Sequence, residues 1–421
     1  MVWGATGVAG GLVAEHLTER YSADDLSLAI GGRNEARLRD FAAELAIAAD
    51  GWDDIPVVVG DATDPESLRD VARSTRVVCT TVGPYTEYGT DLVEACIDAG
   101  TDYCDLTGEV TWVREMIDRY HDAAESAGVR IVHSCGFDSV PADLGTLLVQ
   151  SFATAEFGAS CDLVRVYLDG GKGAVSGGTL ASGLEMFDAA STDPVARETL
   201  RNPYSLAPAG ERDGVDPGAQ RTPKRDALRG GWTAPSPMAS VNERMIRRSN
   251  ALLGYPWGRE FRCTEVLPTG RGFGGAAVAS AVTAGLGVGA GAMALGPVRS
   301  ALRRFVVPEL SDGPTTNQVE DGYFTVRVLG RGTATDGPFV VECVVAADRD
   351  PGYGATAQLL GESAMCLVLG EIDSPVDGGV LTPASGIGDP LADRLRDVGL
   401  TVDVREWSGD EDGPPAFYRG R

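Results

Sequence analysis

The chain has 421 residues, 43% of them hydrophobic, which is enough for one large core or two ordinary ones, and two are expected. Its formal charge is −25, and only two of its 36 cationic side chains are lysines, Lys172 and Lys224, against 61 carboxylates. Such a surface stays hydrated and self-repelling where salt screens charge, so it reads as halophilic adaptation, and the lack of a basic stripe excludes nucleic acid as a partner. The eight cysteines are scattered, mostly within apolar runs, with no CxxC and no signal peptide ahead of them; a reduced, cytoplasmic setting is expected. His16, His121 and His133 show no metal-ligand spacing and read as structural.

The opening MVWGATGVAGG places Gly4, Gly7 and Gly10 in a GxxGxxG turn ahead of GLVAEHLTERY, whose apolar residues recur at helical spacing. Then strands and helices alternate: LSLAI, NEARLRDFAAEL, IPVVVG, DPESLRDVARS, RVVCTTV, TDLVEACIDAG, DYCDL, VTWVREMIDRYHDAAESAG and VRIVHS. This alternation predicts an α/β fold, a Rossmann-type doubly wound parallel sheet that binds its ligand beyond the carboxyl ends of the strands. In that frame Gly4 takes the tight turn, Gly7 lets the backbone approach a pyrophosphate, and Gly10 allows close helix-to-sheet packing, with Thr6 and Val8 in the same turn. Only Met1, Val2 and Trp3 precede the turn, short of the about five or six residues usual for a strand, so a start upstream of Met1 is expected.

Cofactor choice is read after the second strand, in LAIGGRNEARL. No acid stands there to bind a ribose 2′-hydroxyl, whereas Arg33, with Arg37 one turn later, suits a 2′-phosphate and favours NADP(H). The alternative is that Arg33 opens a solvated helix and pairs with Glu35 or Asp61. Asp61 sits where a residue flanks the adenine, and Gly83 and Pro84 where the chain passes the pyrophosphate and the nicotinamide ribose.

Candidate catalytic groups follow the later strands. Tyr85 and Tyr88 in GPYTEYG can present phenols near the nicotinamide, Tyr85 the better placed, or both rings pack over the loop. YCDLTGE places Asp105, Thr107 and Glu109 on the same edge; Asp105 and Glu109 either orient substrate or tune a neighbouring acid, or only cap the long helix from Val110, and for Glu109 capping reads best. GFDSVPADLG sets Asp138 and Ser139 at a strand-to-helix corner with Pro141 early in the helix. Ser139 lacks the GxSxG setting of a hydrolytic nucleophile. SGGTLAS, beginning at Ser176, is a small-residue turn into a helix that touches either substrate or the nicotinamide end, or only packs closely.

Residues 192–240 are rich in Pro, Gly and charge and read as a mobile excursion or lid. Residues 272–298 carry no charge over 27 residues, with eight glycines and eight alanines. A membrane span, a lipid- or partner-facing helix pair, and a buried small-residue contact all remain open. RSALRRF after it adds arginines beside an apolar face, which suits peripheral contact with an acidic membrane through 272–304. GYFTVRVLGRG and GPFVVECVVAADRD form a hairpin, ATAQLLGESAMCLVL a buried helix, DPLADRLRDVGL an amphipathic one, and TVDVREW a final strand.

Together GATGVAG, TTVGPYTEYG, YCDLTGE, GFDSVPADLG, SGGTLAS, DRDPGYGATAQLLGESA and GGVLTPASGIGDPLADRL resemble the saccharopine dehydrogenase-like oxidoreductases, including the trans-acting enoyl reductases of lipid assembly. The resemblance implies an NADP-binding Rossmann domain, placed at 1–140, and a mixed α/β substrate or dimerisation domain at 141–421. It also implies reductase activity without fixing a substrate. The expected function is NADP-dependent reduction of a hydrophobic small molecule, with Tyr85, Asp105 and Asp138 as catalytic candidates. A non-catalytic NADP-binding scaffold and a saccharopine-type amino acid dehydrogenase are the alternatives. A homodimer is expected by analogy alone.

Overall fold

The computed structural model describes residues 1–173, 177–307, 313 and 319–409. Its first half runs β1 (Val2–Trp3), α1 (Val8–Arg20), β2 (Ile30–Gly32), α2 (Glu35–Ala48), β3 (Val57–Val59), α3 (Pro65–Arg73), β4 (Val77–Thr80), the short α4 (Tyr85–Tyr88), α5 (Thr90–Ala99), β5 (Asp102–Asp105), α6 (Val110–Ala127), β6 (Arg130–Val132) and α7 (Val140–Phe157). The second half runs β7 (Cys161–Lys172), α8 (Gly177–Thr192), α9 (Pro194–Arg201), β8 (Lys224–Arg225), β9 (Trp232–Pro235), α10 (Ala239–Leu252), β10 (Arg262–Gly270), α11 (Gly272–Met293) and α12 (Gly296–Phe305). It closes with β11 (Tyr323–Ala334), β12 (Gly337–Ala347), α13 (Gly354–Leu369), β13 (Gly379–Leu381), α14 (Pro383–Gly386), α15 (Pro390–Asp397) and β14 (Thr401–Glu406).

Two seven-stranded sheets result. The first, in the order β13-β6-β5-β4-β1-β2-β3, is parallel throughout. Its central strands β1 and β4 are buried throughout, as helices covering both faces require. Val2 pairs with Ile30 on one side and Cys79 on the other. Strand β2 starts at Ile30, later than LSLAI suggests, because two-residue β1 offers a ladder partner only there; Leu26 and Leu28 are buried without joining it. The order reverses between β1 and β4, which opens the ligand crevice of this fold class beside the glycine turn.

The second sheet, β14-β12-β11-β7-β10-β9-β8, is mixed. The β11–β12 hairpin pairs in full register from Phe324 opposite Ala347 to Ala334 opposite Gly337. Helix α7 carries the chain between the sheets and lies against β11 and β12.

Two features depart from the sequence reading. The chain returns to the first sheet after the second is built: β13 pairs with β6, and α13 packs on α1, where buried Glu362 accepts from Tyr21 Oη at 2.7 Å, bonds His16 Nε2 at 2.8 Å, and accepts from Arg394 Nε at 3.0 Å. The boundary expected near 140 is therefore crossed by late segments. Residues 192–240 are also tethered, because three guanidinium groups of α10 satisfy their backbone. Arg244 donates to the carbonyls of Leu200 and Asn202, Arg247 to that of Pro203, and Arg248 to that of Leu206. A Pro/Gly-rich segment with little core of its own gains its order from these planar forks.

Candidate functional site

The glycine turn has the geometry its spacing predicts. Gly4 sits at φ +90, a conformation that L side chains rarely adopt. A Cβ at Gly10 would lie 2.3 Å from the Gly4 carbonyl oxygen, so only glycine lets α1 start this close to the turn. The amides of Gly4 and Ala5 donate to the Gly31 carbonyl at 2.9 and 3.2 Å, which fixes the turn on β2. Beside it opens a cleft of about 710 Å³ whose walls include Thr6, Gly7, Val8, Arg37, Phe41 and Arg349.

This arrangement fits a dinucleotide. The turn presents the N-terminus of a 13-residue helix, and a backbone without Cβ atoms admits a diphosphate. The two arginines favour phosphate, whereas the walls also carry Glu15, Glu19, Asp40, Glu44 and Glu320. Burial, then Glu19 and Glu44, hold the Glu15 carboxyl above its usual range. The phosphates therefore belong at the glycine end.

Arg33 is exposed past β2 and outside the walls of that cleft. Asn34 caps α2 by accepting from Arg37 N at 3.1 Å, which leaves Arg33 at the strand end. Asp61 accepts from Thr63 N at 2.9 Å and Thr63 Oγ1 at 2.8 Å; these bonds first, and Arg33 with them, hold its carboxyl below the usual range. Arg33 adds to the lowering of the Asp61 carboxyl, but no ion pair joins the two among the described residues. Gly83 is exposed and Pro84 half-buried ahead of α4.

The catalytic candidates divide. Tyr85 is only 4% exposed; it stacks on Trp112 at 5.5 Å, donates to the Thr80 carbonyl at 3.2 Å and accepts from Leu106 N at 3.4 Å. Burial, then Asp105, push its phenol well above the ordinary value. The loop position is as expected, but the ring turns into the core and holds the corner together. Tyr88 is half-buried. Asp105 is fully buried and accepts from Tyr103 Oη at 2.9 Å, His133 Nδ1 at 2.7 Å, Ser134 N at 3.0 Å and Thr107 N at 3.1 Å. With its lone pairs taken, it clasps the ends of β5 and β6 and faces no cleft.

Glu109 heads α6 but makes no side-chain cap there. Its carboxylate instead accepts from Tyr85 N at 2.9 Å, Thr86 N at 2.8 Å and Ser182 Oγ of α8 at 2.8 Å. It caps α4, and through Ser182 it ties the second half of the chain to the rim of the first sheet. Ser176 itself lies outside the described residues.

Asp138 is the candidate left with chemistry to offer. Its Oδ1 is enclosed with no hydrogen-bond partner among the described residues, as are Ser139 Oγ and Asn242 Oδ1. Burial, with the neighbouring Glu265 carboxylate, pushes the Asp138 carboxyl up to about 7. Fully buried Glu265 accepts from Ser236 Oγ at 2.5 Å and Asn242 Nδ2 at 2.6 Å, and burial raises its carboxyl too. A small cavity adjoins this corner, with Phe137, Pro141, Leu168, Met238 and Val326 around Asn242 and Glu265. Sequence reading missed Glu265, Asn242 and Ser236, since no motif marks them and only the fold brings β10 and α10 to the end of β6.

Comparison with known proteins agrees with this geometry. Residues 1–132 match the family described as the saccharopine dehydrogenase NADP binding domain. A Mycobacterium tuberculosis protein provisionally named a trans-acting enoyl reductase is 39% identical over 415 residues, 96% of either chain. The trans-acting enoyl reductase of Mycobacterium ulcerans is 38% identical over 413 residues, again 96% of each. Apo saccharopine dehydrogenase (L-Glu forming) from Saccharomyces cerevisiae shares the fold, with a TM-score of 0.55 at 14% identity over 96% of this chain and 99% of that one. The glycine turn, the parallel sheet around it and these full-length relatives place the chain in the saccharopine dehydrogenase-like family of NADP-dependent oxidoreductases, alongside the trans-acting enoyl reductases.

Proposed function

We propose that this chain reduces a carbon–carbon double bond conjugated to a carbonyl in a hydrophobic, acyl-type substrate, using NADPH. The observation that carries this reading is the Asp138–Glu265 corner: two carboxyls with raised titration beside a closed apolar pocket of about 10 Å³, which has no arginine or lysine in its described lining and would have to widen to admit an acyl chain. An amino-dicarboxylate such as saccharopine needs cations to balance its carboxylates. An uncharged acyl group needs apolar walls and a proton donor. The names of the full-length relatives support the same chemistry.

When bound, the dihydronicotinamide supplies a hydride to the carbon β to the carbonyl. Asp138 supplies the other half of the reaction: its O–H bond breaks, a C–H bond forms at the α-carbon, and the carboxylate left behind is reprotonated from solvent. A carboxyl that titrates near neutrality is matched to that task. Glu265 keeps Asp138 protonated by disfavouring a second negative charge beside its own. Ser236 and Asn242 hold Glu265 in place.

The test is NADPH oxidation by the full chain with a long-chain 2-enoyl thioester, compared with glutamate plus an aldehyde-bearing amino acid. Turnover on the thioester alone is expected, and turnover on the amino acid pair alone would overturn the reading. Cofactor selection is tested separately. We assign the 2′-phosphate to Arg33, so Arg33→Ser is expected to weaken NADPH binding roughly 10- to 100-fold, the loss of one charge-assisted contact. NADH binding should stay unchanged, as measured by cofactor fluorescence.

A further inference from the structure

Among the described residues, helix α11 is itself buried only near its start, and its far end is tied down through α12. Gly275 and Ala279 are buried where it meets β9 and β10, while nearly all of its second half is exposed. The buried small-residue contact that its composition allowed therefore covers just two of its residues. Phe273 is 90% exposed, Val288 74% and Phe305 65%. Six of the twelve large hydrophobic side chains exposed among the described residues fall between 273 and 305. Such a concentration marks a contact face.

Composition indicates what the face meets. From 271 to 307 the chain has four arginines and no carboxylate, although it carries 61 carboxylates overall. Gly285, Gly287, Gly289 and Gly291 each cost about 1 kcal/mol relative to alanine in a helix exposed to water. Contact with a lipid surface favours the helix all the same, because leaving its peptide groups unpaired at that boundary is costlier than in water. Arg299 and Arg303 are already paired with Asp188 and Glu185 of α8, so the cation this face offers an anionic headgroup layer is Arg304, beside the exposed Phe305.

Both ends of α11 are held to the same body. Its start follows β10, and beyond its end Arg299 and Arg303 of α12 pair with Asp188 and Glu185 of α8. The helix therefore lies along a surface and does not cross a bilayer. Arg304 and Phe305 stay outward, the guanidinium 5.5 Å from the ring centroid. We infer that the α11–α12 hairpin is a peripheral anchor that seats in the headgroup boundary of an anionic lipid surface. Because α8 also bonds Glu109 through Ser182, the anchor connects by direct contacts to the rim of the cofactor sheet.

Sedimentation of the full chain with phosphatidylglycerol vesicles, and with phosphatidylcholine vesicles, at the lowest KCl concentration that keeps the chain folded tests this, and equal pelleting with both lipids overturns the anionic-surface assignment. Pelleting with phosphatidylglycerol is expected. The Leu286→Asp/Val288→Asp variant should reduce it at least about 10-fold, since buried charge at membrane depth is costly, while NADPH affinity stays unchanged. Arg304→Glu, a separate surface change, should weaken phosphatidylglycerol binding even if the double variant fails to fold. A wild-type chain that stays in the supernatant with phosphatidylglycerol overturns the inference. So does a dimer in light scattering that the double variant splits without any vesicle binding, because the face would then belong to a second copy.

Discussion

Asp138→Asn is expected to lower turnover on an enoyl thioester by roughly 10²- to 10³-fold, the usual contribution of a positioned proton donor, with NADPH affinity unchanged. The wild-type rate should fall as pH rises through about 7, where the Asp138 carboxyl ionises. The variant's residual rate should lack that limb. Stability falls over the same rise in pH. An unfolded aspartate ionises near about 3.9, so between that value and about 7 the folded chain holds a proton that the unfolded chain has released. The stabilisation is complete below the unfolded value and is lost as pH rises through the folded one. Asparagine removes this loss, so at pH above neutrality the variant should be more stable by about 1–3 kcal/mol, a range discounted for partial solvent access. A variant that turns over as fast as wild type with the same pH limb rules Asp138 out. One that is slow, better folded and flat in pH shows that the residue serves the reaction and not the fold.

Gly10→Ala is expected to abolish useful cofactor binding, with at least about 100-fold loss of NADPH affinity. The added methyl would meet the Gly4 carbonyl oxygen at 2.3 Å and Thr81 Oγ1 at 2.7 Å. The first of these is backbone and cannot rotate away. Relieving it must move the turn, which costs about 1–3 kcal/mol in stability and misdirects the amides that face the diphosphate, at roughly 1.5–3 kcal/mol for each charge-assisted bond. Gly11→Ala is the control. Its methyl finds Ala5 O at 3.5 Å and Phe41 Cζ at 3.7 Å, ordinary contacts, and alanine favours the helix by up to about 1 kcal/mol. Calorimetric titration with NADPH and thermal unfolding of both variants separate the two effects. Tight NADPH binding by the Gly10→Ala chain would mean that the turn is not the phosphate site.

What was legible in the sequence follows from how local each signal is. The glycine turn, the βα alternation, the 323–347 hairpin and Pro141 at the start of α7 all read correctly, because each depends on residues a few positions apart. Glu109 looked like a cap and is one, but of α4 rather than of the helix it precedes. Sequence proximity cannot say which helix end a carboxylate reaches. Tyr85 was expected beside the cofactor on position alone, and position did not reveal that Trp112 would draw its ring inward. The Asp138–Glu265 pairing was not legible at all, since it exists only where two sheets meet. Helix α10 shows the same limit: nothing local in VNERMIRRSN tells that the peptide groups of another segment bury its arginines.

The late return of the chain to its first sheet has a consequence for how this protein can be divided. The stretch 1–132 that carries the nucleotide signature is not a severable module. Without β13 the outer rim of β6 would be an open edge inviting aberrant pairing, and without α13 the flank of α1 would lie bare. The stability of the first sheet is therefore coupled to segments that follow the second in the chain. Any dissection aimed at the cofactor site alone has to retain the last quarter of the polypeptide.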